Sequence, residues 1–153
     1  LQVYAHWGDH VAEDLRHEVT HGYLHSVVPD LPLWLDEGLA EYFEVGLARK
    51  GLNRPHVLAL VSKFRRGKWR PNLKRLESLN DAGSLSQDDY AEAWLWTHYL
   101  LESGIATRQI IRDQLARIRM AGEVKPMSDQ LEKQVKEVDE AVLRHLKDLT
   151  QKL

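Results

Sequence analysis

The chain contains no cysteine, which excludes disulfide staples and thiolate metal sites but leaves the redox compartment open. No apolar run approaches the roughly 20 residues of a membrane-spanning helix. A formal net charge of -2 over 153 residues gives no global field of the kind that draws a protein to nucleic acid or a membrane surface. Nothing near the N-terminus has the order of a signal peptide. The chain opens Leu1-Gln2-Val3 without methionine and reads as a piece of a longer protein. An export signal, as for a protein leaving a bacterial cell, would lie upstream, and localisation is otherwise open. What is present is the ordinary soluble mix of 43% apolar and 29% charged residues, enough for one domain with its own core. Eight histidines and five tryptophans are the unusual features.

The pattern predicts a mainly α fold with one short N-terminal strand. Residues 1–7 alternate loosely and read as that strand. A helix is expected over about 10–28, stopped by Pro29-Asp30-Leu31-Pro32, and a second over about 33–49. Shorter helices are expected over 56–64 and 72–79. The helix over 86–103 carries one charge, Glu92, between Tyr90 and Leu101, so it is the candidate central helix, with Gly104 expected to close it. Helices over 106–120 and 128–151 complete the chain. We read residues 1–153 as a single domain, in which 1–50 carry the metal chemistry and 51–153 form a helical remainder.

That chemistry rests on His17-Glu18-Val19-Thr20-His21, an H-E-x-x-H sequence inside the first helix. Residues four apart lie on one helix face, so both imidazoles can reach one zinc ion. Glu18 sits about 100° round the helix, near enough to take a proton from water at the metal without binding the metal. A catalytic zinc needs a third ligand. His25 lies about 12 Å along the axis from His17, too far to share one ion. A third histidine six residues after His21, as metzincins have, would fall at Val27. A carboxylate on the next helix remains, with Glu37 and Glu41 on one of its faces. Gly38, beside Glu37, would let that helix approach the first closely.

The same motif followed by Trp34-Leu35-Asp36-Glu37-Gly38-Leu39-Ala40-Glu41-Tyr42 resembles the gluzincin zinc metallopeptidases. It is most similar to the gluzincin aminopeptidases and the bacterial peptidase MA-like domains, whose pattern is H-E-x-x-H and then W-L-x-E-G-x-A-x-Y. The resemblance covers mainly residues 10–48 and 88–104. It implies a zincin-like helical core with an edge strand, as in a fragment of an α+β gluzincin domain whose upstream strands are missing. It implies zinc held by His17, His21 and Glu37, with Glu18 as general base and Glu41 supporting a zinc histidine. Tyr90 falls at the position of the tyrosine that stabilises the oxyanion, although the family's following lysine-glycine pair is replaced by Glu92-Ala93. His98, eight residues further on that helix face, is a second candidate donor or else a core histidine. The glycine-rich exopeptidase motif of the aminopeptidases is absent, so endo- or exopeptidase action stays open.

The expected function is therefore zinc-dependent hydrolysis of peptide bonds, with a peptide or protein as substrate. The alternative is a gluzincin-like scaffold that binds zinc and peptide without turnover. One feature lies outside both readings. Residues 63–75 hold Lys63, Arg65, Arg66, Lys68, Arg70, Lys74 and Arg75 with Trp69 and no acidic residue. Such a stretch reads first as a solvated or salt-bridged face, and second as a site for nucleic acid or another anionic polymer.

Overall fold

A computed structural model of the chain describes residues 11–153, so the strand expected over 1–7 lies outside the described residues. The fold is mainly helical, with no strand among those residues. Its α-helices are α1 (Val11–Val27), α2 (Leu33–Glu44), α3 (Arg54–Arg65), α4 (Leu73–Glu77), α5 (Gln87–Glu102), α6 (Ile105–Arg119), α7 (Met127–Gln134) and α8 (Val138–Thr150). Among the described residues no helix is long and apolar enough to cross a membrane.

Helix α5 is the centre. Every residue from Ala91 to Leu100 is buried, and Trp94, Leu95, Trp96 and Leu100 join Leu35, Leu60, Ile111 and Leu149 in one apolar cluster. Ser86 starts the helix with a capping box closed by Asp89, which satisfies two backbone donors at that end. Around α5 pack α2, α3, α6 and α8, and α2 also packs along α1. The one charge between Tyr90 and Leu101, Glu92, is fully buried and well supplied with donors. It accepts hydrogen bonds from the Trp69 and Trp96 indoles, the Asn72 backbone and the Arg75 guanidinium. Asp89, Asp88, Glu132 and Glu140 take further ion pairs from Arg75, Lys63, Lys74 and Arg70 respectively. Much of the basic stretch is thus neutralised locally by acidic helices.

Gly38 shows why α2 can approach so closely, but the neighbour is α5 rather than α1. A Cβ there would run into the Thr97 hydroxyl and sit 2.5 Å from the Ala93 carbonyl oxygen. Alanine gains about 1 kcal/mol in helix propensity over glycine, yet a backbone carbonyl cannot step aside cheaply. Gly38→Ala is expected to lose about 2 kcal/mol of stability net, visible as a lower denaturant midpoint. An unchanged midpoint would contradict this tight contact.

Three boundaries differ from the sequence reading. Helix α2 ends at Glu44, and the chain then turns through extended Val45 into a 3-10 turn at Leu47–Arg49. Gly104 does not close α5 in the left-handed conformation; its extended backbone opens α6. The last helix is broken into α7 and α8 by Glu137, whose φ of 50° is left-handed. The break lets Met127 and Leu131 of α7, and Val142, Leu146 and Leu149 of α8, each reach the core.

His98 is not among the residues gathered at the metal motif. It is buried, and its Nδ1 lies 2.9 Å from Nε2 of His145 on α8. Burial, then the neighbouring His145 and Lys152, push His98 down to about 3. Burial and Lys152 push His145 down to about 4. The folded chain therefore keeps both rings neutral at pH values where an exposed histidine, near 6.5, takes up a proton. As pH falls below about 6.5 the unfolded chain gains protons that the folded chain refuses, so stability drops. Each ring contributes about 1.4 kcal/mol per pH unit until its folded pKa is reached. Denaturation at pH 7 and pH 5 measures this, and equal midpoints would contradict it.

Candidate metal centre

The reversal after α1 sets the site. Asp30 takes a left-handed turn (φ 59°), and the Pro32 carbonyl accepts from the Leu35 and Asp36 backbone amides as α2 starts. This short turn lays α2 back along α1. Successive turns of α1 then meet α2 in reverse order: His25 meets Asp36, His21 meets Asp36 and Glu37, and His17 meets Glu37 and Glu44.

Three of these side chains converge. Nε2 of His17 and Nε2 of His21 are 3.1 Å apart. Oε2 of Glu37 lies 3.6 Å from the first and 3.5 Å from the second. Zinc bonds of about 2.0–2.1 Å at tetrahedral angles would separate ligand atoms by about 3.3–3.4 Å. The triangle therefore has the size that one such ion requires. Two further groups, His21 with His25 and Asp36, and His17 with Glu41 and Glu44, also bring ligand atoms within 4.8 Å of one another. They reuse the histidines of the first group.

The far side of each imidazole faces a carboxylate. Nδ1 of His17 is 3.1 Å from Oε2 of Glu44, and Nδ1 of His21 is 3.1 Å from Oδ2 of Asp36. The second is an ion-pair contact, and Asp36 is the group that faces His21 Nδ1. A carboxylate on Nδ1 places the proton there and turns the Nε2 lone pair to the metal. Glu44 is itself held: Asn53 donates to its Oε1 at 2.8 Å while its own Oδ1 caps α3. Glu44→Ala is expected to weaken zinc binding by about 10–100-fold, read by competition with a chromophoric chelator. An unchanged affinity would remove Glu44 from the site.

The field at the centre is negative. Burial disfavours the charged imidazole of His17, but Glu37 and Glu44 outweigh it and push it up to about 10. For His21, Asp36 and Glu37 likewise outweigh burial and push it up to about 9. Burial raises Glu37, and the two histidines overcome it and bring it to about 2. In the metal-free chain the raised histidines stabilise the fold fully below about pH 6.5 and stop doing so as pH rises through about 9–10. That window does not overlap the one set by His98 and His145. A divalent cation at the centre must displace these protons, so its affinity falls with falling pH.

An open cavity of about 420 Å³ adjoins the cluster. Glu18 and His17 line it from α1, Glu41 and Glu44 from α2, and Tyr90 from α5. Burial, and then the charges of Glu37 and Glu41, raise the Tyr90 pKa, so its phenol stays protonated and available as a donor. Glu41 is directed to His56, whose Nε2 lies 2.6 Å from Oε2 of Glu41, and the carboxylate on His17 is Glu44. His25, half out in solvent, hydrogen-bonds Asp36 at 2.8 Å. Sequence reasoning missed Asp36, Glu44, Asn53 and His56. Glu44 had a signal: it lies seven residues, two helical turns, beyond Glu37.

No curated protein and no solved structure matches the chain significantly. One family model does match, over residues 11–128, a span that includes α1, α2 and Tyr90. The chain therefore belongs to the family described as protein of unknown function DUF1570.

Proposed function

We propose that the chain is a zinc-dependent peptidase, with His17, His21 and Glu37 as metal ligands and Glu18 as general base. The observation that carries this reading is the spacing of the three ligand atoms beside a cavity lined by Glu18 and Tyr90. The resemblance of residues 17–21 and 34–42 to the gluzincins supports it. When bound, zinc would supply a Lewis acid that acidifies water and takes up charge developing on a carbonyl oxygen. The Glu18 carboxylate accepts the proton of the attacking water and delivers it to the leaving amine. The Tyr90 hydroxyl donates toward the former carbonyl oxygen, where negative charge grows. Glu44 and Asp36 hold the imidazoles in orientation throughout.

The alternative, a scaffold that binds zinc and peptide without turnover, gives Glu18 no task in the cavity. Digestion of a mixed peptide library by the zinc-reconstituted protein, with products read by mass spectrometry, separates the two. Cleavage that disappears with a zinc chelator supports the peptidase. Peptide binding without any cleavage supports the scaffold.

A further inference from the structure

A second concavity lies where α3 and α8 pack together, an open groove of about 400 Å³. It shares no lining residue with the cavity at the metal centre. Its floor is apolar: Val61 and Phe64 from α3, Leu143 and Leu146 from α8. Phe64 remains 37% exposed, a costly state for a ring with an apolar neighbourhood ready to cover it. The rim is cationic, with exposed Arg65, Arg144 and Lys147. The one acidic residue in the lining, Glu140, is met by Arg70 at 4.0 Å. Arg70 also places its guanidinium 5.4 Å from the centre of the Phe64 ring, so Glu140 is offset and Arg65, Arg144 and Lys147 leave the face cationic. On a chain of formal charge -2 this is a local reversal of sign.

We infer that this groove binds an acidic amphipathic helix of a partner protein. The apolar floor takes the partner's apolar stripe, and the rim pairs with its carboxylates. Several features favour a helix over other anionic occupants. Both walls are helices, lined at 61, 64 and 65 on α3 and at 140, 143, 144, 146, 147 and 150 on α8, and an apolar groove between two helices is one that the apolar stripe of a third can fill. A single-stranded nucleic acid would need aromatic platforms for its bases, Phe64 is the sole aromatic in the lining, and an apolar floor gives a duplex's phosphates nothing to bind. The groove also accounts for part of the basic stretch at residues 63–75. Lys63, Arg70, Lys74 and Arg75 are ion-paired within the fold, while Arg65 lines the groove.

The test uses the full chain and a designed, fluorescently labelled helical peptide of about 18 residues, five turns, with leucines on one stripe and glutamates elsewhere. Its counterpart carries lysine for each glutamate. Fluorescence anisotropy is expected to show binding of the acidic peptide, weakened by salt, with much weaker binding of the basic one. The double variant Arg144→Glu with Lys147→Glu, both at exposed positions, is expected to lower that affinity about tenfold or more. Unchanged circular dichroism would show that it still folds. Failure of the acidic peptide to bind, equal binding of both peptides, or full affinity in the double variant overturns the proposal. Binding to phosphatidylglycerol-containing vesicles but not to the acidic peptide also overturns it, in favour of a membrane surface.

Discussion

Glu37→Ala is expected to weaken zinc binding by more than about a hundredfold, beyond the loss typical of residues that only orient a metal ligand. The carboxylate stands nearly equidistant from both imidazoles, 3.6 Å from His17 and 3.5 Å from His21. Its removal leaves two ligands one helical turn apart and takes away the nearest compensating charge. The readout need not involve catalysis. A metal bound only by the folded chain stabilises it by RT ln(1 + [L]/Kd), about 4 kcal/mol at a thousandfold excess over Kd. The wild-type chain is therefore expected to gain thermal stability with zinc, and Glu37→Ala to gain little under the same conditions. Glu41→Ala and His25→Ala serve as controls. Glu41 is tied to His56 and His25 to Asp36, so both variants are expected to retain most of the zinc response. A full response in Glu37→Ala, or its loss only in His25→Ala, would relocate the metal.

Glu18→Gln has the opposite profile. The residue lines the cavity beside His17 but belongs to none of the candidate ligand groups. Zinc affinity is expected to change little. The rate of peptide cleavage is expected to fall by about 10²–10⁴, the usual contribution of a positioned general base, because the amide of glutamine cannot accept the proton. Single-turnover rates at saturating peptide measure this with the metal content held equal. Equal rates in both proteins would remove Glu18 from the mechanism, and loss of zinc in Glu18→Gln would make it a structural ligand instead.

How much of this was legible in the sequence depends on whether a feature is local or depends on the register between helices. The pairing of His17 with His21 follows from helical spacing alone. So does the identity of α5 as the central helix, since a nearly uncharged run must be buried. The choice between Glu37 and Glu41 is different. Both share one face of α2, and spacing left them open until the family resemblance favoured Glu37. In the fold Glu37 turns to the histidines and Glu41 to His56. That division depends on where α2 lands after the short turn at residues 28–32. The partners of the imidazoles, Asp36 and Glu44, depend on the same landing and were not foreseen.

Gly38 was legible as a close-approach glycine but not in its direction, because the central helix lies on the other side of α2. The basic stretch was legible as a charge anomaly. Its anchor, buried Glu92, sits about 20 residues away in sequence and becomes a partner only when α4 folds over α5. The break at Glu137 went unseen because a left-handed glutamate carries no signal in a chain that otherwise keeps helical periodicity.

The most direct test of the central claim is metal analysis of the purified, zinc-reconstituted protein combined with X-ray absorption at the zinc edge. Close to one zinc per chain is expected, bound by two imidazole nitrogens and carboxylate oxygen at about 2.0–2.1 Å, with the signal lost in Glu37→Ala. Absence of near-stoichiometric zinc after reconstitution, or a coordination sphere unchanged in Glu37→Ala, would contradict it.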